Sequence, residues 1–189
     1  MPDNEHNAGT ANTGNSAGNT AGNTANSTDS SAKSETGNDP GTDARKHLTV
    51  RCQFCETWNR VDAARAQDRP TCGKCGRPML LDRPVPLSDE TFRRTIDGSE
   101  IPVLVDFYAD WCGPCKQMAP AVDAVAAAHR GRALVGKLDT DRAPRTASEF
   151  QIRGIPTVIV FSGGREVARQ SGAVPQPVLE ALLRRATTG

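Results

Sequence analysis

Hydrophobic side chains are missing from the start of this chain: between Pro2 and His47 there is no Val, Ile, Leu, Met, Phe, Tyr or Trp. Residues 1–44, rich in Asn, Gly, Thr, Ser and Ala, have too little apolar surface to offset the entropy of ordering, so the pattern predicts a disordered tail. Apolar positions return thinly as Leu48, Val50, Phe54, Trp58, Val61, Met79, Leu80 and Leu81. A segment of about 40 residues with this content does not build a self-sufficient core and needs a staple. From Leu87 the pattern becomes dense. Ser88-Asp89-Glu90 puts a cap residue and two acids ahead of Phe92 and Ile96, which share a helical face. Residues 102–108 form an apolar run suited to a strand covered on both faces. Met118, Ala121, Val122, Val125 and Ala126 follow at helical spacing, with Pro120 expected to kink that helix. Residues 133–138, 157–161 and 166–170 read as strands, Gly163-Gly164 as a hairpin turn, and Val178, Leu179, Leu182 and Leu183 as one face of a closing helix. The expected class is α/β, a central mixed sheet with helices on both faces.

Charge adds little to that division. The chain carries net +1, distributed as −5 over residues 1–44, +5 over residues 45–86 and +1 over the remainder. A basic segment of that size raises the question of nucleic acid, but no recognition-helix pattern follows it, and no nucleic-acid partner is expected. The tail has neither the apolar stretch of a secretory signal nor the arginines of a mitochondrial presequence, and no apolar run is long enough to span a bilayer. A soluble, cytoplasmic protein with no membrane association is the expectation.

All six cysteines fall in Cys-x-x-Cys pairs. Cys52, Cys55, Cys72 and Cys75 have the spacing of a four-cysteine zinc site, each pair forming a tight knuckle with the intervening residues as a hairpin. Four thiolates around one Zn2+ supply the missing staple, on the order of 10 kcal/mol at neutral pH. Two structural disulfides are the alternative, and a cytosolic redox poise argues against them. Such a centre carries a net charge of about −2, and Arg51, Lys74 and Arg77 beside the ligands read as local compensation.

The third pair, Cys112 and Cys115, lies between the apolar run ending at Tyr108 and a helical pattern. A thiol at a helix N-terminus faces unpaired N–H groups and the positive end of the macrodipole, which favour the thiolate. Cys112 is therefore the candidate nucleophile, and Cys115, expected to be the more buried, can close a disulfide with it. A buried thiol prefers to stay protonated, so the second step needs a base. Asp106, a lone carboxylate inside the apolar run, is the candidate, its pKa raised towards neutrality by burial; the alternative is an exposed strand position where the acid is merely solvated.

Trp111-Cys112-Gly113-Pro114-Cys115 resembles the active site of thioredoxins, and the match continues through Val105-Asp106-Phe107, Lys137-Leu138-Asp139, Arg153-Gly154-Ile155-Pro156-Thr157 and Gly172-Ala173. With four cysteines in front, the chain is similar to the bacterial zinc-ribbon type, thioredoxin 2. The resemblance implies a thioredoxin fold over residues 87–189, preceded by a zinc ribbon at 45–86; the tail at 1–44 lies outside it. It further implies that Lys137 is the charge partner of Asp106 and that Pro156 is a cis-proline opposite the cysteines, a trans proline at a strand edge being the alternative that sequence does not separate. Trp111, Gly113, Ile155, Gly172 and Ala173 would form an apolar rim for docking proteins, with Pro114 tightening the helix start. One departure stands out: many thioredoxins have tryptophan two residues after the strand aspartate, where this chain has Tyr108.

The function so implied is reduction of protein disulfides by dithiol exchange, in a monomer recharged by an NADPH-dependent thioredoxin reductase and requiring no organic cofactor. A docking or chaperone module with disulfide isomerase activity is the alternative. The ribbon reads equally as structural or as a redox-responsive element.

Overall fold

The computed structural model describes residues 45–187, so the expected tail at 1–44 lies outside the described residues. The chain opens on a hairpin of β1 (His47–Arg51) and β2 (Trp58–Asp62), antiparallel with Leu48 opposite Val61 and Val50 opposite Asn59. Alternation sends Leu48, Val50 and Val61 inward. Asp62 then accepts a bond from Ala64 N at 2.9 Å and caps a 3-10 helix, Ala63–Asp68. The first two cysteine pairs turn in the same way. Cys52 N donates to Thr57 O and Glu56 N to Cys52 O, while Cys72 N donates to Arg77 O and Gly76 N to Cys72 O. The residue after each second cysteine is left-handed, Glu56 at φ 61° and Gly76 at φ 69°.

A five-stranded sheet follows in the order β3-β5-β4-β6-β7, from β3 (Val85–Leu87), β4 (Val103–Tyr108), β5 (Leu134–Asp139), β6 (Thr157–Ser162) and β7 (Arg165–Ser171). β3 and β4 run parallel to β5, β6 runs antiparallel to β4, and β7 runs antiparallel to β6. β4 has five buried residues of six because it lies at the centre with helices on both sides. The long helix α2 (Gly113–Ala128) and the closing helix α4 (Gln176–Thr187) share a core with Leu104, Val135, Val158 and Val160. α1 (Phe92–Asp97) and α3 (Pro144–Glu149) complete the element order. On the side of α1 lies an aromatic group in which Phe92 meets Phe107 at 6.2 Å, Phe150 at 5.1 Å and Phe161 at 5.5 Å.

Three features differ from expectation. The sheet takes in Val85 and Pro86, so the redox domain's first strand begins ahead of the boundary placed at residue 87. The hairpin has no separate core: Leu48, Val50, Cys52 and Cys72 belong to one buried cluster with Phe92, Ile96 and Phe161. α1 starts later than expected, at Phe92 with Thr91 making no side-chain cap bond; Ser88 turns the chain ahead of it, its Oγ accepting from Glu90 N at 3.3 Å and its carbonyl from Phe92 N at 2.9 Å. Asp89 instead crosses to α3, where Oδ1 accepts from Thr146 N at 2.8 Å and Thr146 Oγ1 at 2.7 Å. Although burial opposes ionisation, these bonds and those from Arg145 hold Asp89 at about 2.

The hairpin seats on the end of the sheet where β4 begins. Thr49 N donates to Ser99 Oγ and Thr49 Oγ1 to Gly98 O, while Glu100 accepts from His47 N at 2.8 Å and Arg60 at 2.7 Å. Any side chain at Gly98 would meet Thr49 Oγ1 at 2.8 Å, and one at Gly131 would meet Ala63 O at 2.4 Å. Both glycines lie where the hairpin segment and the domain touch backbone to side chain or backbone to backbone.

Candidate active site and metal centre

β4 ends at Tyr108, and four residues later Cys112 stands as the extended N-cap of α2 at φ −76°, ψ 108°, with Pro114 in the first turn. Proline fits there because its missing N–H belongs to a group that has no intrahelical partner. Cys112 Sγ accepts a bond from Cys115 N at 3.2 Å, and the two sulfurs are joined as a disulfide. Both cysteines are 3% exposed, so in the oxidised protein burial does not distinguish them. Their inequality is positional: Cys112 precedes the helix and receives its N–H, whereas Cys115 lies within the first turn. Trp111 beside them is 70% exposed and donates its Nε1–H to Asp141 at 2.7 Å.

Asp106 is 5% exposed, and its Oδ1 has no hydrogen-bond partner. Burial pushes its carboxyl up to about 7, with the Lys137 charge opposing. The exposed-carboxylate alternative is thereby removed. Lys137 stands opposite Asp106 in the β4–β5 register but extends over the Tyr108 ring, its Nζ 5.3 Å from the centroid. It acts on Asp106 through space.

The Ile155–Pro156 peptide is cis, and the Pro156 carbonyl accepts from Gly172 N at 2.8 Å. A shallow groove of about 450 Å³ runs past the dithiol, lined by Trp111, Cys112, Gly113, Pro114 and Ile155 from the expected set. Gly172 and Ala173 are outside this lining; Gly172 instead flanks Pro156 on the other side of the loop. The groove also takes in Thr140, Ile152, Arg153 and Gly154, to which the sequence reading assigns no role. Arg153 and Gly154 belong to the same sequence motif as Pro156 and are open to assignment on that ground. Thr140 carries no such signal: it reaches the site because its N–H and hydroxyl both donate to Tyr108 O.

The other four cysteines converge. Their sulfurs all lie within 4.8 Å of one another, with Cys52 to Cys75 at 3.7 Å and Cys55 to Cys72 at 3.6 Å. Four sulfurs about 2.3 Å from a tetrahedral Zn2+ stand roughly 3.8 Å apart along each edge, so this donor set fits the ion. The thiols are perturbed unequally: against a backbone hydrogen bond from Arg77, burial and the neighbouring thiols push Cys75 up to about 11, while N–H groups face two of the other sulfurs. Phe54 N lies 3.5 Å from Cys52 Sγ and Asn59 Nδ2 3.5 Å from Cys72 Sγ. Hydrogen bonds from the Cys75 and Lys74 backbone, helped by Asn59, lower Cys72 to about 6. Arginine contact is not the means: Arg51 donates to Glu56, and Arg77 stacks over Phe54 at 4.9 Å.

Comparison with known proteins accords with both halves. The Thioredoxin family matches residues 83–185, and the family described as Thioredoxin 2, N-terminal, matches residues 51–77. The chain is 46% identical over 99 residues to a thioredoxin of Synechocystis sp., covering 52% of this chain and 92% of that one. It is 38% identical over 127 residues to thioredoxin C-3 of Corynebacterium nephridii, covering 67% and 87%. The solved structure of a mutant thioredoxin from Halobacterium salinarum NRC-1 superposes with a TM-score of 0.52 at 33% identity, covering 58% of this chain and 95% of that one.

Proposed function

The chain belongs to the thioredoxin family, and from that premise we propose that it reduces disulfides of client proteins through Cys112 and Cys115. The observation that carries the reading is a dithiol at a helix N-terminus, directly following a central strand that holds a buried carboxyl pushed up to about 7. Helix N–H groups and the macrodipole stabilise the Cys112 thiolate. That thiolate attacks one sulfur of the client disulfide, forming a mixed disulfide and releasing one client thiolate. Asp106 accepts the proton of Cys115, whose sulfur then attacks Cys112 and releases the second client thiolate. Two electrons pass to the client, and the product is the Cys112–Cys115 disulfide seen in the structure. Lys137 offsets the charge that develops on Asp106, and the groove beside cis-Pro156 receives the extended client segment, with Trp111, Gly113, Pro114 and Ile155 as its rim.

The four-cysteine cluster and its family match support metal binding. The finer reading is one Zn2+ held by Cys52, Cys55, Cys72 and Cys75 as a structural staple; the ion supplies charge neutralisation and cross-linking when bound. Recharging by an NADPH-dependent reductase, a monomeric state and a cytoplasmic location belong to the same reading. No helix among the described residues is long and apolar enough to cross a membrane. A docking or chaperone module with isomerase activity is not favoured by the family match.

The test is a single-turnover reaction with a client disulfide. Cys115→Ser should accumulate the mixed disulfide through Cys112, and Cys112→Ser should form none. Capture through position 115 in the Cys112→Ser variant would reverse the assignment of nucleophile.

A further inference from the structure

Asp106, Tyr108 and Lys137 rise from one face of the sheet. In the parallel β4–β5 pair Asp106 stands opposite Lys137 and Tyr108 opposite Asp139, on the side where Leu104 and Val135 meet α2. A lysine placed there has two resting places: beside the carboxylate directly opposite, or over the ring two residues along β4. It takes the second, with Nζ 5.3 Å from the Tyr108 centroid, while Asp106 Oδ1 stays without a partner. Drawing an ammonium into the buried position costs its hydration, whereas the half-buried ring offers an electron-rich face nearer solvent. Tyr108 also packs against the cluster of Cys112 and Cys115, so the ring touches the dithiol region on one side and the lysine on the other.

We propose that Tyr108 is a positioning residue: its ring holds the Lys137 ammonium away from Asp106 and leaves the buried carboxyl free to exchange a proton with Cys115. The proposal rests on the dithiol-exchange reading and names the residue that tunes it. The groups around Asp106 are few. β5 contributes Lys137, its own strand contributes Tyr108, which packs on the cluster holding Cys115 of the first turn of α2, and β6 places apolar Val158 opposite. Around Tyr108 the charges are Asp139, Asp110 and Asp106, opposed by Arg142, so the balance at the ring is negative and favours a cation there.

The test is a carboxyl-detected NMR titration of Asp106 in the reduced protein, for the wild type, Tyr108→Leu, Lys137→Gln and the double variant. In Tyr108→Leu the ammonium is expected to swing to Asp106 and lower its midpoint by about one unit, as an adjacent cation does. In the Lys137→Gln background the same Tyr108→Leu step should not lower it. Tyr108→Trp, a stronger cation acceptor, should keep the midpoint at or above the wild-type value, and it tests the proposal independently if the leucine variant does not fold. The pH profile of mixed-disulfide resolution should show the same order of midpoints.

An unmoved midpoint in Tyr108→Leu overturns the proposal. So does an equal fall in the Lys137→Gln background, which would assign the effect to water entering beside Asp106, and so does a lower midpoint in Tyr108→Trp. If Asp106→Asn left the resolution rate unchanged, the proton-transfer role of Asp106 would fail while the titration still decided the Tyr108–Lys137 coupling.

Discussion

Three Cys-x-x-Cys pairs of identical spacing have two different fates in this chain, and the difference lies in the residue that follows the second cysteine. After Cys115 the backbone continues as α2, so the first cysteine caps a helix and the two sulfurs meet each other. After Cys55 and Cys75 the backbone turns left-handed, at Glu56 and Gly76, and each pair becomes a knuckle. The two knuckles bring four sulfurs to one point. Spacing alone therefore does not separate redox from metal chemistry; the local backbone does. The two sites also stand at different parts of the fold. The dithiol follows the end of the central strand β4, whereas Cys52 lies beside Leu87 and Ser88 at the end of the edge strand β3, two places away in the sheet order.

Removing the metal should produce the largest effect, on the order of 10 kcal/mol at the ribbon. Because Leu48 and Val50 share a buried cluster with Phe92 and Ile96, chelation should also lower the melting temperature of the redox domain. A domain melting transition unchanged by chelation, followed by calorimetry, would show that the shared core contributes nothing. Next in size, Cys112→Ser should reduce client-disulfide turnover by at least about a thousandfold, the scale expected on losing a nucleophile. Its metal content, measured by atomic absorption, should match the wild type; a coupled loss would break the separation of the two sites.

Asp106 supplies the third prediction, about stability rather than rate. Its folded-state value of about 7 lies above the ordinary 3.8, so the unfolded chain releases this proton first as pH rises. Stability from this group is thus fully present below about pH 4 and is lost progressively as pH rises towards 7, by roughly 4 kcal/mol in the limit of a fixed environment. Asp106→Asn should be clearly more stable than the wild type at pH 8 and close to it at pH 4 in urea titrations, while resolving the mixed disulfide about a hundredfold more slowly. Equal stability differences at both pH values would contradict the buried-carboxyl assignment. The smallest effect sharpens the knuckle comparison. Gly76→Ala should cost about 1 kcal/mol because an L-residue is disfavoured at φ 69°, whereas Glu56→Gly should gain less than about 1 kcal/mol, relief of strain being offset by loss of the bond from Arg51 to the Glu56 carboxylate. Denaturant midpoints of the metal-loaded protein check both.

Much of this arrangement is legible in the sequence. The apolar run at 102–108 announces a central strand, and a lone aspartate inside it announces its own burial. The missing parts share a cause. β3 has three residues, one of them Pro86, and α3 has six with a single buried residue, Thr146; neither is long enough to display a period. Asp89 looks like an acid of a helix start because its partner is 57 residues away in sequence, and only tertiary contact reveals it. The Lys137 position over Tyr108 is likewise a choice between two neighbours that register permits equally. The thin apolar content at 48–81 signals an insufficient core, yet the remedy is twofold: a staple, and a seat on the core of the next domain.

The most direct test of the division between the sites is a redox titration of the full chain in a thiol–disulfide buffer, following active-site thiols and released zinc together. The expected result is one two-electron transition near about −270 mV, the general thioredoxin figure, with zinc retained throughout. Zinc released over the same range would contradict the separation of the two chemistries, and a midpoint near about −180 mV or above would contradict the reductase assignment.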